Sequence, residues 1–271
     1  MRTSIESPGD LTGSEYNRRI ALSRTLAHHG VSVVLPAYNE EQAIIGTLTA
    51  VVGTLTEWGA DFEVLVVNDG SADRTAELVV AYAARTPRLR LLNHSTNQGY
   101  GAALATGFAA ATRDLTFFMD ADGQFTICDL ANLLIHIDEV DAVLGYRIRR
   151  QDPWLRLLNA RGWGLLTRLT LGLRVRDLDC AFKLLRTDFL RRYPPTTRSA
   201  LVNAELVYAL DRSGARYRQV GVRHLPRQGG RPTGASPGVI VRALWALATN
   251  ARRWRRRSYA PTRRAPVGEP A

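Results

Sequence analysis

Lysine is almost absent from this chain: Lys183 is the single one among 36 basic residues, so nearly every positive charge is an arginine. Cysteine is scarce as well. Cys128 and Cys180 are the only two and form no CxxC pair, which excludes a disulfide framework and a cysteine-based zinc site and fits a reducing cytoplasm. No uncharged apolar run reaches about 18 residues, so no spanning helix is expected, and the first thirty residues lack the apolar core of a secretory leader. Internal repeats are missing too. What is present is an ordinary globular composition, 45 % hydrophobic and 23 % charged over 271 residues, with room for a sizeable core.

The formal charge of +11 is unevenly placed. Residues 252–271 hold seven arginines against one acid, Glu269, so over half of the excess lies in one terminal stretch. The polar residues 1–30, with a short amphipathic helix over 14–28, read as an N-terminal extension. A folded region is expected over 31–235, an amphipathic helix over 236–251 and a disordered arginine-rich tail over 252–271.

Within the folded region, apolar runs alternate with helical spacing. Val31–Leu35, Phe62–Val67, Leu89–Leu92, Leu115–Met119 and Ala142–Leu144 read as buried strands. Helices are expected over residues 44–58, from a Ser71 cap to Ala84, over 99–112 and near 126–137. The second half is less regular: a helix over 153–173, strands at 181–185 and 217–222, and a helix over 203–213. This alternation predicts an α/β fold with a mostly parallel central sheet, Rossmann-like, and helices on both faces. Ligands on such sheets bind at the carboxyl ends of strands. Asn39/Glu40, Asn68–Ser71 and Asp120–Gln124 all stand at such ends and should converge in one cleft.

Asp120-Ala121-Asp122 is the sharpest feature: two carboxylates one residue apart, with the neutral oxygen of Gln124 two residues on, suit Mg²⁺ or Mn²⁺. A solvated acidic turn would look the same. Asp69 either caps a helix or meets a base or ribose. Gly99, in Asn97-Gln98-Gly99-Tyr100-Gly101, either starts a helix or lets backbone approach a phosphate, although neither a Walker loop nor a dinucleotide fingerprint is formed. Arg147, Arg149, Arg150, Arg156 and Arg161 make either a phosphate-binding cluster or a solvated basic face. His224 and Arg227 precede a Gly229-Gly230 loop. The apolar stretch 239–250 is too short to span a bilayer and reads as an interfacial or a core helix. No nucleic-acid recognition motif accompanies the basic tail, so nucleic acid is not an expected partner.

Pro36-Ala37-Tyr38-Asn39-Glu40, Asn68-Asp69-Gly70-Ser71, Asn97–Gly101 and Asp120–Gln124 occur in an order and spacing that resembles family 2 glycosyltransferases of the GT-A fold. The subgroup it most resembles is the polyprenol-phosphate sugar transferases of dolichyl-phosphate mannosyltransferase type. The Asp177–Lys183 segment is similar to that group's acidic-Gly-Phe-Arg stretch, with Ala181 in the place of Gly and Lys183 in the place of Arg. The resemblance implies that Pro36, Tyr38, Glu40, Asp69, Gly99, Asp120, Ala121, His224 and Arg227 line a UDP- or GDP-sugar. Asp120, Asp122 and Gln124 would hold the metal, and Arg147, Arg156 and Lys183 would meet the acceptor. It further implies an inverting transfer to a polyprenyl phosphate by a peripheral enzyme on an anionic surface, the cytoplasmic face of the plasma membrane. The other implied acceptor is a sugar or lipid hydroxyl in cell-envelope glycan synthesis. That chemistry needs a general base, for which Asp179 and Glu205 are the candidates.

Overall fold

The computed structural model describes residues 13–148, 166–226 and 237–260. Seven strands form one sheet: β1 (Val31–Ala37), β2 (Phe62–Asp69), β3 (Leu89–His94), β4 (Leu115–Met119), β5 (Ala142–Ile148), β6 (Phe182–Arg186) and β7 (Tyr217–Arg223). Their order is β3-β2-β1-β4-β6-β5-β7, and β6 alone runs antiparallel to its two neighbours. Every residue of β1 and β2 is buried. That is why both read as continuous apolar runs rather than alternating ones. β1 continues through Pro36, past the Leu35 limit expected from sequence. The missing N–H is tolerated because β4 pairs β1 only as far as Val34, leaving β2 as the sole neighbour there.

The helices are α1 (Gly13–His28), α2 (Ile44–Glu57), α3 (Thr75–Ala83), α4 (Tyr100–Ala110), the single turn α5 (Ala131–Leu134), α6 (Thr187–Arg192), α7 (Val202–Arg212) and α8 (Pro237–Arg256). β1-α2-β2 and β2-α3-β3 step outward in one direction, while β3-α4-β4 steps back across β2 and β1. Right-handed crossovers then place α2 and α3 on one face and α4 on the other. Gly107 of α4 lets that helix lie flat, since a Cβ there would stand 2.3 Å from Val34. The reversal of direction between β1 and β4 is a switch point, and it opens a crevice at the carboxyl end of the sheet.

Three local expectations need correction. Ser71 does not cap α3: that helix starts at Thr75, whose N–H is taken by Asp73, while the Ser71 hydroxyl accepts from the Asn39 N–H. The helix expected near 126–137 is a 3₁₀ turn over Ile127–Leu130 followed by α5. The boundary drawn at residue 252 falls inside α8, which runs to Arg256. Leu247, Ala251 and Trp254 lie on one stripe of that helix and are buried in the core. Arg252, Arg253, Arg255 and Arg256 are exposed on the opposite side. Of the helix expected over 153–173, residues 166–171 are helical and the rest lies outside the described residues. No helix among the described residues is long and apolar enough to cross a membrane.

Candidate active site

The loops after β1 and β2 are joined by short polar side chains. The Asn39 Oδ1 accepts from the Ala72 N–H at 2.8 Å, the Asn39 N–H donates to Ser71 Oγ at 3.0 Å, and the Glu40 N–H donates to Thr75 Oγ1 at 2.8 Å. Asn39 takes the left-handed conformation, φ 56°, that its residue type tolerates. Pro36 is buried beneath this junction, and the Tyr38 ring is left half exposed on the rim.

β4 delivers Asp120-Ala121-Asp122 to the same rim. The Ala121 carbonyl is fixed by Thr47 Oγ1 of α2 at 3.0 Å. The Asp122 carboxylate accepts from the Gln124 N–H at 3.1 Å. Gln124 then holds the segment just after β7: its side-chain amide donates to the Leu225 carbonyl at 3.1 Å and its carbonyl accepts from the Leu225 N–H at 2.8 Å. His224 stacks edge-on against Phe125 with ring centres 5.1 Å apart. The segments holding Gln124 and His224, distant in sequence, are therefore neighbours.

Asp120 is the electrostatic centre. Burial, and then the like charge of Asp122, pushes its carboxyl up to about 7. The nearby Tyr100 hydroxyl opposes the shift, Glu40 adds to it, and Arg147 opposes it. A half-buried carboxyl in such company favours a cation. Asp120 and Asp122 would be two oxygen ligands suited to a hard divalent ion. Gln124 has only its amide oxygen left to offer. Among the described residues no group of three or more His, Cys, Asp or Glu side chains is gathered for a metal.

Several polar residues at the rim are already occupied by the chain itself. The Asp69 carboxylate is buried and accepts from the N–H groups of Gln98 and Gly99, each at 2.8 Å, and pairs with His94 at 2.7 Å. It anchors the Gly-rich segment rather than facing open space. Gly99 starts α4 at φ 100°, and the place of its missing side chain is filled by the Arg198 carbonyl, 2.5 Å from a Cβ built there. Gly101 is tighter still, 2.0 Å from the Thr197 carbonyl. The close approach that these glycines permit is to residues 197–199 of the same chain. Glu205 is 2 % exposed and accepts from the Thr196 and Thr197 N–H groups and the Thr196 hydroxyl at 2.8–3.0 Å. Such a carboxylate is poorly placed to act as a base. Lys183 points into the core and donates to the carbonyls of Leu178 and Cys180 and to Asn203 Oδ1. It does not face the cleft.

Arg147 forms a two-pronged pair with Asp177, Nε to Oδ2 at 2.7 Å and Nη2 to Oδ1 at 2.9 Å, and its own N–H also donates to Oδ2. Asp179 is exposed on the turn before β6. Sequence reasoning named Asp179 and missed Asp177 and Tyr100. Their signals were weak: one acid among two in Asp177-Leu178-Asp179, and one aromatic at a helix start. Arg156 and Arg227 lie outside the described residues.

The order of strands, the switch-point crevice and the acidic pair after β4 can now be set beside known proteins. Residues 32–193 match the family described as Glycosyl transferase family 2. The chain belongs to that family. Among curated relatives, an undecaprenyl-phosphate 4-deoxy-4-formamido-L-arabinose transferase of Enterobacter sp. (strain 638) is 32 % identical over 172 residues, covering 62 % of this chain and 52 % of that one. A dolichyl-phosphate beta-glucosyltransferase of Trichomonas vaginalis is 33 % identical over 175 residues, covering 58 % and 52 %. The chain thus spans about half the length of the curated relatives it matches. Glucosyl-3-phosphoglycerate synthase from Mycobacterium tuberculosis, solved with Mn²⁺, uridine diphosphate and phosphoglyceric acid, superposes with a TM-score of 0.67 at 22 % identity, covering 92 % of this glycosyltransferase and 85 % of that chain. That likeness establishes the GT-A fold.

Proposed function

We propose that this family 2 glycosyltransferase moves a sugar, with inversion, from a UDP- or GDP-sugar to a polyprenyl phosphate, using Mg²⁺ or Mn²⁺. The observation that carries the reading is the Asp120 carboxyl at the end of β4, two residues from Asp122, with Glu40 and Arg147 close enough to act on its charge. The metal-bearing structures of the synthase and the lipid-phosphate acceptors in the relatives' names support it. Asp120 and Asp122 would hold the ion, which supplies Lewis-acid stabilisation of the departing nucleoside diphosphate. Tyr38 offers its exposed ring to the base, and Glu40 stands near the ribose. Arg147, oriented by Asp177, supplies fixed positive charge toward the phosphates without reorganising during reaction. Arg227, Arg156 and His224 keep the donor and acceptor roles given them by the resemblance.

The acceptor chemistry is weighed by the bases available among the described residues. A sugar hydroxyl needs a positioned base; of the two expected candidates Glu205 is taken up by three donors, the Thr196 and Thr197 N–H groups and the Thr196 hydroxyl, which leaves Asp179. A phosphate monoester is largely anionic near pH 7 and needs no base. The exposed arginines of α8 would draw the enzyme to an anionic leaflet, at about 1 kcal/mol per charge near the surface. The cytoplasmic face of the plasma membrane is the proposed place of action.

The test is transfer of radiolabelled sugar from a panel of UDP- and GDP-sugars to a short polyprenyl phosphate, with Mn²⁺ or Mg²⁺ and an EDTA control. A metal-dependent lipid-soluble product is expected. Metal-dependent donor turnover with no lipid product, but transfer to a glycan hydroxyl, would overturn the acceptor assignment and make Asp179 the next residue to replace.

A further inference from the structure

Lys183 is the one lysine of the chain, and it is 1 % exposed. Its ammonium donates to the Leu178 carbonyl at 3.1 Å, to the Cys180 carbonyl and to Asn203 Oδ1 at 2.9 Å, and lies 5.7 Å from the centre of the Phe118 ring. No carboxylate accepts among those contacts. A buried cation held by neutral oxygens is an expensive way to stabilise a core, and an apolar residue of similar volume would serve that purpose better. What the ammonium does accomplish is geometric. It gathers the turn before β6 onto β6 itself and onto the first turn of α7.

That turn begins at Asp177, the residue next to Leu178. Asp177 grips Arg147 through three hydrogen bonds, and both side chains are largely buried. Arg147 in turn lies within reach of Asp120. A continuous path of hydrogen bonds and adjacent residues therefore leads from Lys183 through Leu178 and Asp177 to the Arg147 guanidinium. We propose that Lys183 is a positioning residue: by holding the Leu178 and Cys180 carbonyls it fixes Asp177, and through Asp177 it aims Arg147 at the acceptor phosphate. This rests on the reading of Arg147 given above. It replaces direct acceptor contact, which the inward direction of Lys183 does not support.

Two readouts separate this proposal from that reading. The first needs no substrate. In protein labelled with ¹⁵N-arginine, the Arg147 Nε–H should be slow to exchange because Asp177 accepts it, and its signal is identified by its loss in Arg147→Lys. Lys183→Met and Asp177→Asn should both bring it into rapid exchange while leaving the far-UV circular dichroism unchanged. The second is kinetic: with the short polyprenyl phosphate and the donor found by the panel, Lys183→Met should lower kcat/KM for the acceptor about ten- to hundredfold. Binding of Mn²⁺ with UDP or GDP by calorimetry should move less than threefold. In the Arg147→Ala background the Lys183→Met effect should vanish, as expected of residues acting through one another.

A protected Arg147 signal in folded Lys183→Met overturns the proposal whatever the activity does. So does a Lys183→Met effect that persists undiminished in the Arg147→Ala background. Loss of the signal with transfer unchanged would instead overturn the role of Arg147 while leaving the mechanical link intact. If Lys183→Met does not fold, Asn203→Ala removes one of the three acceptors and keeps the ammonium. It should then give a smaller change of the same signal, and an unchanged signal there also overturns the proposal.

Discussion

Asp120 gives the most direct test of the site, because its environment makes the metal-free protein sensitive to pH in an unusual sense. Its carboxyl titrates near 7 in the folded chain, against 3.8 for an ordinary aspartate. The folded state holds that proton more tightly than the unfolded state does. Between about pH 4 and pH 7 the unfolded chain releases a proton that the folded chain keeps, so this group makes stability fall as pH rises. The full effect, present above pH 7, is about 4 kcal/mol. In a domain of this size that corresponds to roughly 10 °C in Tm. Asp120→Asn removes the charge and keeps the shape, so with EDTA present the variant should be more stable than the parent at pH 8.5 and nearly equal to it at pH 4.5. Mn²⁺ should restore the parent at pH 8.5 and do little for the variant. Thermal unfolding of the two proteins across this pH range, with EDTA and with Mn²⁺, reads all of these at once. Parallel pH profiles in EDTA would refute the electrostatic argument. Equal stabilisation of both proteins by Mn²⁺ would refute Asp120 as a ligand.

Three further predictions concern the supporting structure. Glu205→Gln keeps one acceptor oxygen but turns an amide N–H₂ toward backbone donors, so urea unfolding should show a loss of about 2 kcal/mol; full stability with transfer abolished would mark Glu205 as a base after all. Gly101→Ala drives a methyl into the Thr197 carbonyl, and should cost about 1–3 kcal/mol by the same measurement, with the strain relieved only if residues 197–199 move away. Trp254→Ala empties a 1 %-exposed site packed against Tyr208 and should cost about 3–5 kcal/mol; a small effect would mean that α8 is only loosely attached.

The parallel half of the fold was legible because burial on both faces removes any need for alternation, so β1 and β2 stand out as apolar runs ended by polar loops. β5 was read short, as Ala142–Leu144, because Tyr146 and Arg147 look like loop residues. β7 on its far side and the pairing Arg147–Val222 extend it to Ile148, and only tertiary contact reveals that. The stretch from 252 to 256 is helix rather than tail for a similar reason. Its composition is that of a solvated tail, yet the one tryptophan at Trp254 falls in phase with Leu247 and Ala251, and that single stripe seats the helix on the core.

The site was legible in its location but not in its division of labour. Asp69, Asp120 and Glu205 are all acids at or beside the rim, and nothing in residue type separates them. The difference lies in where backbone donors point. Gln98 and Gly99 turn their N–H groups onto Asp69 because Gly99 takes a positive φ, and Thr196 and Thr197 do the same for Glu205. Each of those carboxylates is satisfied by the fold and so serves the fold. Asp120 emerges from a buried strand with another acid two residues on and a tyrosine at its side, and its charge has to be answered from outside the chain or removed by a proton. The same logic sorts the basic residues: Lys183 is satisfied by carbonyls, while Arg147, shared between Asp177 and the field of Asp120, sits where structural support ends and the proposed chemistry begins. A motif in a sequence marks which acids and bases gather at a strand end; which of them remain for a substrate is decided by how many donors the surrounding backbone has already turned toward each one.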